Sequence, residues 1–290
     1  MKKKVLFLSL ALLTGMAQGT TAQNDPIMKT YSTKDIEVKN TESGKMLRGT
    51  LYLPEGDGKK PLIITAHELG SDALRPWWVN YSQHWAELGY AVLGFDFSGG
   101  GQRSRSEGKT TDMSVMTEAS DLEQMLSLAR TWDFVDTSRI FLVGGSQGGG
   151  VATVVAARHP KDIAAMVLLY PALRLPNSLR SQYPDINNLP ETDKRNSLIT
   201  IGKKYILDMY NYDYDRDMQG YEGPVLIVHG DEDKTVDISG SRRTINIFPN
   251  ARLHTIYGAG HVFFTPEHQA EFLQQADDFL RQITSKSTSL

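Results

Sequence analysis

Short apolar runs alternate with longer amphipathic stretches along most of the chain. The runs end at turn residues, as buried strands do, and the stretches between them carry apolar positions at helical spacing. Such alternation is typical of βα units, which build a mostly parallel sheet covered by helices on both faces. Strands are predicted at 36–39, 47–53, 62–66, 91–97, 140–143, 165–170, 225–228 and 252–257, and helices at 77–88, 114–131, 147–158, 239–248 and 266–283.

One long stretch interrupts this alternation. Between Pro171 and Gly223 there is no run of strand type, whereas Asn, Asp, Pro and Tyr are frequent. Compact domains seldom contain so long a connection unless it has a function. We therefore predict an inserted cap at about residues 172–222, placed over one end of the sheet within a single α/β domain at 23–290.

The first 22 residues form a separate unit. Lysines at positions 2–4 precede an apolar run at 5–13, and small residues follow at 20–22. This order is typical of a signal peptide, and the run is too short to cross a bilayer, which takes about 20 apolar residues. A buried N-terminal helix is the alternative. We expect export to the periplasm or the medium, with no membrane anchor.

Composition excludes several classes of function. None of the 290 residues is a cysteine, so disulfides, a Cys nucleophile, a lipid-modified Cys and thiolate metal sites are excluded. The net charge of −3 and the absence of a basic stripe interleaved with aromatic residues argue against a nucleic-acid partner. Neither an HExxH motif nor a complete phosphate-binding loop of the form G-x-x-x-x-G-K-[ST] occurs, and we expect neither a metal ion nor an organic cofactor.

The clearest chemical motif is Gly-Gly-Ser-Gln-Gly at 144–148, which matches G-x-S-x-G. It follows a predicted strand directly and opens a predicted helix, which is the context that this motif requires. A serine on so tight a turn has strained backbone geometry, and the amides of the next helix face the position where an oxyanion would develop. The pattern predicts that Ser146 is a nucleophile; an ordinary glycine-rich loop is the alternative.

A serine nucleophile needs a base, and the base needs an acid to orient it. In folds with this turn, the acid and then the histidine follow the serine in chain order. Asp231, Glu232 and Asp233 follow one predicted strand, and His261 follows the next, so both groups lie where sites in open α/β sheets collect. His261 is the predicted base. We expect the remaining candidates to be structural or solvated: His159, His229, His254 and His268.

Five segments in this order resemble the α/β-hydrolases, and among them the bacterial cinnamoyl and feruloyl esterases, which carry a short inserted cap. The resemblance covers nearly all of the chain after residue 22 and implies a serine carboxylic-ester hydrolase. The segments are His-Glu-Leu-Gly at 67–70, the glycine-rich stretch at 95–104, the serine motif at 144–149, His-Gly-Asp-Glu-Asp at 229–233 and Gly-Ala-Gly-His at 258–261.

The resemblance also implies roles for individual residues. It favours Asp233 as the acid, and Asp231 is expected to bond its own loop instead. It implies an oxyanion hole formed by the backbone N–H groups of Leu69 and Gln147. It places Tyr205 where those esterases have a tyrosine that meets the phenolic end of the substrate, although an ordinary cap tyrosine is an equal alternative. The chain departs from the family at Glu68, usually glycine, where a carboxylate would narrow the site or repel an anionic substrate.

The predicted reaction is hydrolysis of a small-molecule or polysaccharide-linked ester through an acyl-enzyme, with hydroxycinnamoyl esters as the expected substrates. The tyrosines of the insert are expected to form an aromatic wall for a planar acyl group. The alternatives are an acetyl esterase acting on decorated polysaccharide, a peptidase of the prolyl oligopeptidase type and a binding protein on an inactive hydrolase fold. Free peptidases of that type usually carry a large extra domain, and a binding protein has no need of the complete Ser, Asp and His set.

Overall fold

A mixed sheet forms the centre of the molecule. The computed structural model describes residues 28, 30–195 and 199–286, with the side chain of residue 286 excepted, so the predicted signal peptide at 1–22 lies outside the described residues. Eight of the strands in these ranges form the sheet in the order β1-β2-β4-β3-β5-β6-β9-β10. The first two are antiparallel to their neighbours and the other six are parallel. The strands are β1 Tyr31–Lys39, β2 Met46–Pro54, β3 Lys60–Ala66, β4 Ala91–Asp96, β5 Val135–Gly145, β6 Ala165–Leu169, β7 Thr192–Lys194, β8 Thr200–Gly202, β9 Val225–Gly230 and β10 Ala251–Ile256.

Helices cover both faces of this sheet. One face is packed by α1 and α8, whose aromatic side chains form a buried cluster that includes Trp78, Trp85 and Phe272. The other face is packed by α2 and α3. No helix in the described ranges has the length and apolar character that a membrane span requires. The helices are α1 Pro76–Glu87, α2 Val115–Ala129, α3 Gln147–Arg158, α4 Leu175–Gln182, α5 Lys203–Tyr210, α6 Tyr214–Gly220, α7 Ser239–Thr244 and α8 Pro266–Lys286.

The predicted α/β architecture is confirmed, with one error in burial. All the predicted strands and helices are present, most with bounds shifted by a few residues. Strand β10 was predicted to be covered on both faces, but most of its residues are partly exposed. It is the last strand of the sheet, so it has a neighbouring strand on one side only. The sequence pattern could not distinguish an edge strand from a central one.

The segment between β6 and β9 contains more regular structure than its sequence indicates. It folds into α4, the antiparallel pair β7–β8, α5 and α6. The expectation that it lacks strands is wrong, because strands of three residues that pair only with each other leave no readable alternation. Side chains of α5 and α6, among them Tyr205, Ile206 and Tyr214, belong to the same buried cluster as α2 and α3. The insert is therefore anchored to one face of the sheet.

Candidate active site

Ser146 lies on the turn that joins β5 to α3. Its φ of 51° is in the left-handed region that most side chains avoid. The turn is fixed by close packing, because a Cβ on Gly148 would lie 2.1 Å from the carbonyl oxygen of Ala66. A Cβ on Gly144 would lie 2.4 Å from the carbonyl oxygen of Gly148. Only glycine fits at either position, which explains both glycines of the motif.

The structure brings Ser146, His261 and Asp233 together in one hydrogen-bonded chain. The Ser146 hydroxyl donates to Nε2 of His261 over 3.1 Å, and Nδ1 of the same ring donates to Oδ2 of Asp233 over 2.7 Å. These partners require the tautomer with its proton on Nδ1, which leaves Nε2 free to take the serine proton. This is the arrangement of a nucleophile, a base and an orienting acid.

Asp233 is held by four groups. Its Oδ1 accepts the backbone amides of Thr235 at 2.8 Å and Val236 at 2.9 Å. Its Oδ2 faces both His261 and Nε2 of His229, the latter at 3.2 Å. Burial alone would raise the pKa of this carboxyl, but hydrogen bonds from His229, His261 and Val236 outweigh it and hold the pKa well below its ordinary value. Asp233 therefore stays ionised at any pH at which the base could work.

His229 belongs to the site, although the sequence predicted only a structural or solvated side chain. It is fully buried, its Nδ1 is 2.7 Å from the Ser241 hydroxyl, and its Nε2 is 2.9 Å from the carbonyl oxygen of Val236. The same Nε2–H faces Asp233, so this histidine fixes the acid instead of competing as a base. Its position four residues before Asp233, directly after the predicted strand at 225–228, was the available signal.

The other candidate acids and bases lie outside this chain of contacts. Oδ1 of Asp231 accepts the backbone amide of Gly258 at 2.7 Å, so it bonds loop backbone as expected. Glu232 is exposed. His254 pairs with Glu271, and His159 with Glu123. None of these side chains makes a hydrogen bond to Ser146 or His261.

Leu69 and Gln147 border the same cavity as Ser146. Within the described part of the chain, neither backbone amide donates to a protein acceptor. Gln147 is the first residue of α3, where the helix dipole adds positive potential. Two amides without protein acceptors beside a serine hydroxyl are what an oxyanion hole requires.

Glu68 does not point into the cavity as the sequence suggested. Only 6% of its surface is exposed, and it is not among the residues that line the cavity. Its Oε2 accepts from the indole of Trp78 at 3.0 Å, and its Oε1 accepts from the Tyr170 hydroxyl at 3.0 Å and the indole of Trp77 at 3.3 Å. The Tyr170 ring lies 4.6 Å from the His261 ring, centre to centre. Glu68 thus supports the wall behind the base and leaves the cavity open.

Tyr205 borders the cavity, but its hydroxyl has a protein partner. It donates to Oε1 of Gln147 over 2.6 Å, and the residue is almost fully buried. The resemblance implied a contact with the phenolic end of a substrate, whereas the structure directs this hydroxyl to the residue that follows Ser146. A substrate contact through Tyr205 stays a prediction.

The cavity beside Ser146 has a volume of about 650 Å³, within the range of small-molecule sites. Its walls come from the serine turn, the insert and the loop after β9. Of the six tyrosines at 172–222, Tyr205 alone lines it, so the expected aromatic wall is wrong. Four of the others have protein partners elsewhere: Tyr210 and Tyr221 donate to the carbonyl oxygens of Tyr183 and Ile163, and Tyr183 and Tyr212 donate to Asp193 and Asp217. Apolar lining comes from Leu69, Pro171, Leu175 and Val236.

The order of parallel strands, the turn at Ser146 and the loops that carry Asp233 and His261 define an α/β-hydrolase. The chain belongs to the prolyl oligopeptidase family, whose model matches residues 77–287. It is therefore a hydrolase of the α/β fold, and the resemblance found in the sequence is confirmed.

Curated hydrolases and solved structures are similar to this protein over most of its chain. A 2-hydroxy-6-oxononadienedioate/2-hydroxy-6-oxononatrienedioate hydrolase of Burkholderia vietnamiensis is 25% identical, covering 89% of this chain and 99% of its own. A monoacylglycerol lipase of Mycolicibacterium smegmatis is 24% identical, with coverages of 76% and 87%. The structure of Est1E from Butyrivibrio proteoclasticus with bound ferulic acid has a TM-score of 0.79 at 25% identity, with coverages of 86% and 99%.

Removing the Tyr170 hydroxyl should destabilise the protein. In Tyr170→Phe, the buried Glu68 loses one of its three donors, and we expect the free energy of unfolding to fall by about 1–3 kcal/mol. Chemical denaturation followed by tryptophan fluorescence measures the change. Tyr257→Phe is the matched control, because Tyr257 is 78% exposed and its loss should stay within about 0.5 kcal/mol. Equal effects in both variants would contradict the assigned role of Glu68.

Proposed function

We propose that the protein is a serine carboxylic-ester hydrolase that works through an acyl-enzyme. The observation that carries this proposal is the continuous hydrogen-bonded chain from Ser146 through His261 to Asp233 at the edge of an open cavity. The free amides of Leu69 and Gln147 support it, because ester hydrolysis needs donors for a developing oxyanion. Curated relatives that are named as a 2-hydroxy-6-oxononadienedioate/2-hydroxy-6-oxononatrienedioate hydrolase and a monoacylglycerol lipase are compatible with the same class of reaction.

The proposed reaction has two halves. Ser146 Oγ attacks the ester carbonyl while His261 Nε2 takes its proton, and the carbonyl oxygen accepts from the amides of Leu69 and Gln147. The intermediate collapses as the bond to the alcohol oxygen breaks, and His261 returns the proton to that alcohol. Water then attacks the acyl-enzyme with His261 as base, which releases the acid and restores the serine. Asp233 orients the imidazole throughout and stabilises its cationic form.

Hydroxycinnamoyl esters are the proposed substrates. The main support is the similarity to Est1E, whose structure holds ferulic acid. The cavity supports it less directly, because its volume suits a phenylpropenoyl group and its lining includes Leu69, Leu175 and Tyr205. An acetyl esterase would need far less room.

Peptide hydrolysis is the second candidate. Membership of the prolyl oligopeptidase family favours it, since the matched region at 77–287 includes Ser146, Asp233 and His261. The same chain of nucleophile, base and acid would serve an amide as well as an ester. The two candidates differ in leaving group, and substrate assays separate them.

We also propose that the protein is exported. The lysines at 2–4, the apolar run at 5–13 and the small residues at 20–22 support this proposal. The lack of cysteine is compatible with it, because such a chain needs no oxidative folding. Mass spectrometry of the N-terminus after expression in a bacterial host with a periplasm tests it, and an uncleaved cytoplasmic chain would contradict it.

Ser146→Ala should abolish turnover without unfolding the protein. We expect kcat for a neutral aryl ester to fall about 10⁴-fold or more, because no other hydroxyl occupies the nucleophile position. The melting temperature should stay close to that of the wild type, since the lost hydroxyl bonds only His261 among the described side chains. A fluorophosphonate probe followed by peptide mapping should label Ser146 in the wild type alone. Labelling at a different serine would refute the mechanism.

Asp233→Asn should lower kcat far more than Asp231→Asn does. Because the Oδ1 position accepts two backbone amides, the new NH₂ group must face Nδ1 of His261 and force the wrong tautomer. We expect a loss in kcat of about 10⁴-fold, as in well-studied triads. Asp231→Asn keeps an oxygen for the Gly258 amide and should cost less than about fivefold, the value of one hydrogen bond. Comparable losses would mean that Asp233 is not the acid.

Methyl hydroxycinnamates should be better substrates than aryl acetates or dipeptide anilides. The comparison uses kcat/KM for one preparation, with Ser146→Ala as the blank. Tyr205→Phe should lower kcat/KM about fivefold for both ester classes, because its hydroxyl holds Gln147 whichever ester is bound. A selective loss for hydroxycinnamates would instead indicate direct contact with the phenol. Faster turnover of acetates or anilides would replace the proposed substrate with one of the alternatives.

A further inference from the structure

Glu118 is a buried carboxyl beside the nucleophile turn that the proposed reaction does not use. It lies on α2 with 1% of its surface exposed. Its Oε2 accepts a hydrogen bond from the side-chain amide of Gln147 over 2.7 Å. Its Oε1 has no hydrogen-bond partner in the described part of the chain. A buried carboxyl that is only half satisfied is costly, so its presence points to a role.

Gln147 connects this carboxyl to the insert. Its side-chain nitrogen donates to Glu118 and its side-chain oxygen accepts from Tyr205, so both ends of the amide are occupied. The three residues come from three helices, α2, α3 and α5. The backbone N–H of Gln147 is one of the two proposed oxyanion donors. Its position is therefore set partly by groups that never touch the substrate.

The surroundings of Glu118 disfavour a negative charge. On its own helix it faces Asp121, whose carboxylate accepts from the Ser98 amide and from Asn40. From the insert, Tyr205 and Tyr214 interact with it electrostatically, and no lysine or arginine is among the described groups that shift its pKa. Burial raises the pKa of Glu118 to about 8; the Gln147 hydrogen bond opposes this rise and Asp121 adds to it. A pKa in this range keeps most of the carboxyl protonated at neutral pH.

We propose that Glu118 is a positioning residue that holds Gln147 for catalysis and does so productively only while it is uncharged. The inference rests on the proposed ester hydrolysis. Loss of the proton would place a fixed negative charge behind the amide that must stabilise the oxyanion, in a region where charges are weakly screened. The transition state carries that negative charge and the ground state does not, so the effect falls on kcat more than on KM.

The test is the pH dependence of kcat between pH 6 and 10 for a neutral ester, in the wild type and in Glu118→Gln. Glutamine keeps an oxygen for the Gln147 amide but cannot ionise. We expect the wild-type kcat to fall about tenfold on the alkaline side, while Glu118→Gln keeps its plateau and KM stays within about twofold. Glu123→Gln is the matched control, because Glu123 lies on the same helix but pairs with Arg158 at the surface. It should retain the wild-type alkaline fall.

Stability supplies a second readout that does not need turnover. A folded-state pKa raised above the ordinary value of 4.5 means that the folded protein binds the proton more tightly, so the contribution of Glu118 to wild-type stability should decrease as pH rises from about 4.5 to 8. The melting temperature of Glu118→Gln should therefore rise relative to that of the wild type as pH increases over this range. The melting temperature of Glu123→Gln should not.

Two results would overturn the inference. One is an alkaline fall in kcat that is the same in Glu118→Gln as in the wild type. The other, which applies even if Glu118→Gln is too unstable to assay, is a wild-type kcat that stays flat to pH 10. Failure of ester hydrolysis itself would appear differently, as no turnover and no probe labelling of Ser146 at any pH.

Discussion

The close approach of the first turn of α3 to the end of β3 sets the geometry on which the site depends. There is no space for a side chain on Gly148 against Ala66, and the amide of Ser146 is bonded to the carbonyl oxygen of Leu169 at 2.9 Å. Because β3, β5 and β6 are neighbours in the middle of the sheet, the turn cannot relax without separating them. The backbone strain at Ser146, of about 1–3 kcal/mol, is offset by the stability of that central region. The same packing aims the N-terminus of α3 at the serine hydroxyl.

The proposed acid, Asp233, and the proposed base, His261, lie on loops and are held by local hydrogen bonds and ring contacts instead of by the sheet. Asp233 is fixed through two amides and two imidazoles, so its carboxylate has little freedom to turn. The His261 ring rests on Tyr170, and the Tyr170 hydroxyl is bonded to Glu68, which directly precedes Leu69. One buried tyrosine therefore connects the wall behind the base with the loop of the proposed oxyanion hole. A displacement of either loop would therefore shift the other through these contacts.

Sequence reasoning succeeded where the deciding contacts are local or follow from chain order. The turn at Ser146 could be predicted because its strand, turn and helix are contiguous, and the approach of His261 because it follows a parallel strand whose carboxyl end must lie at the same edge of the sheet. The burial of β10 was wrong because an edge strand and a central strand can share one apolar pattern. The pair β7–β8 was missed because its strands are too short to show alternation.

Side-chain contacts between residues that are far apart in the sequence could not be predicted, for a different reason. Gln147 is bonded to Glu118, 29 residues earlier, and to Tyr205, 58 residues later, and nothing in the spacing of a glutamate or of one tyrosine among six marks such a pair. The contact exists because α5 packs on α2, which depends on tertiary structure. It also changes what the insert does. A hydroxyl that donates to Gln147 cannot donate the same proton to a substrate phenol, so Tyr205 belongs to the support of the nucleophile turn.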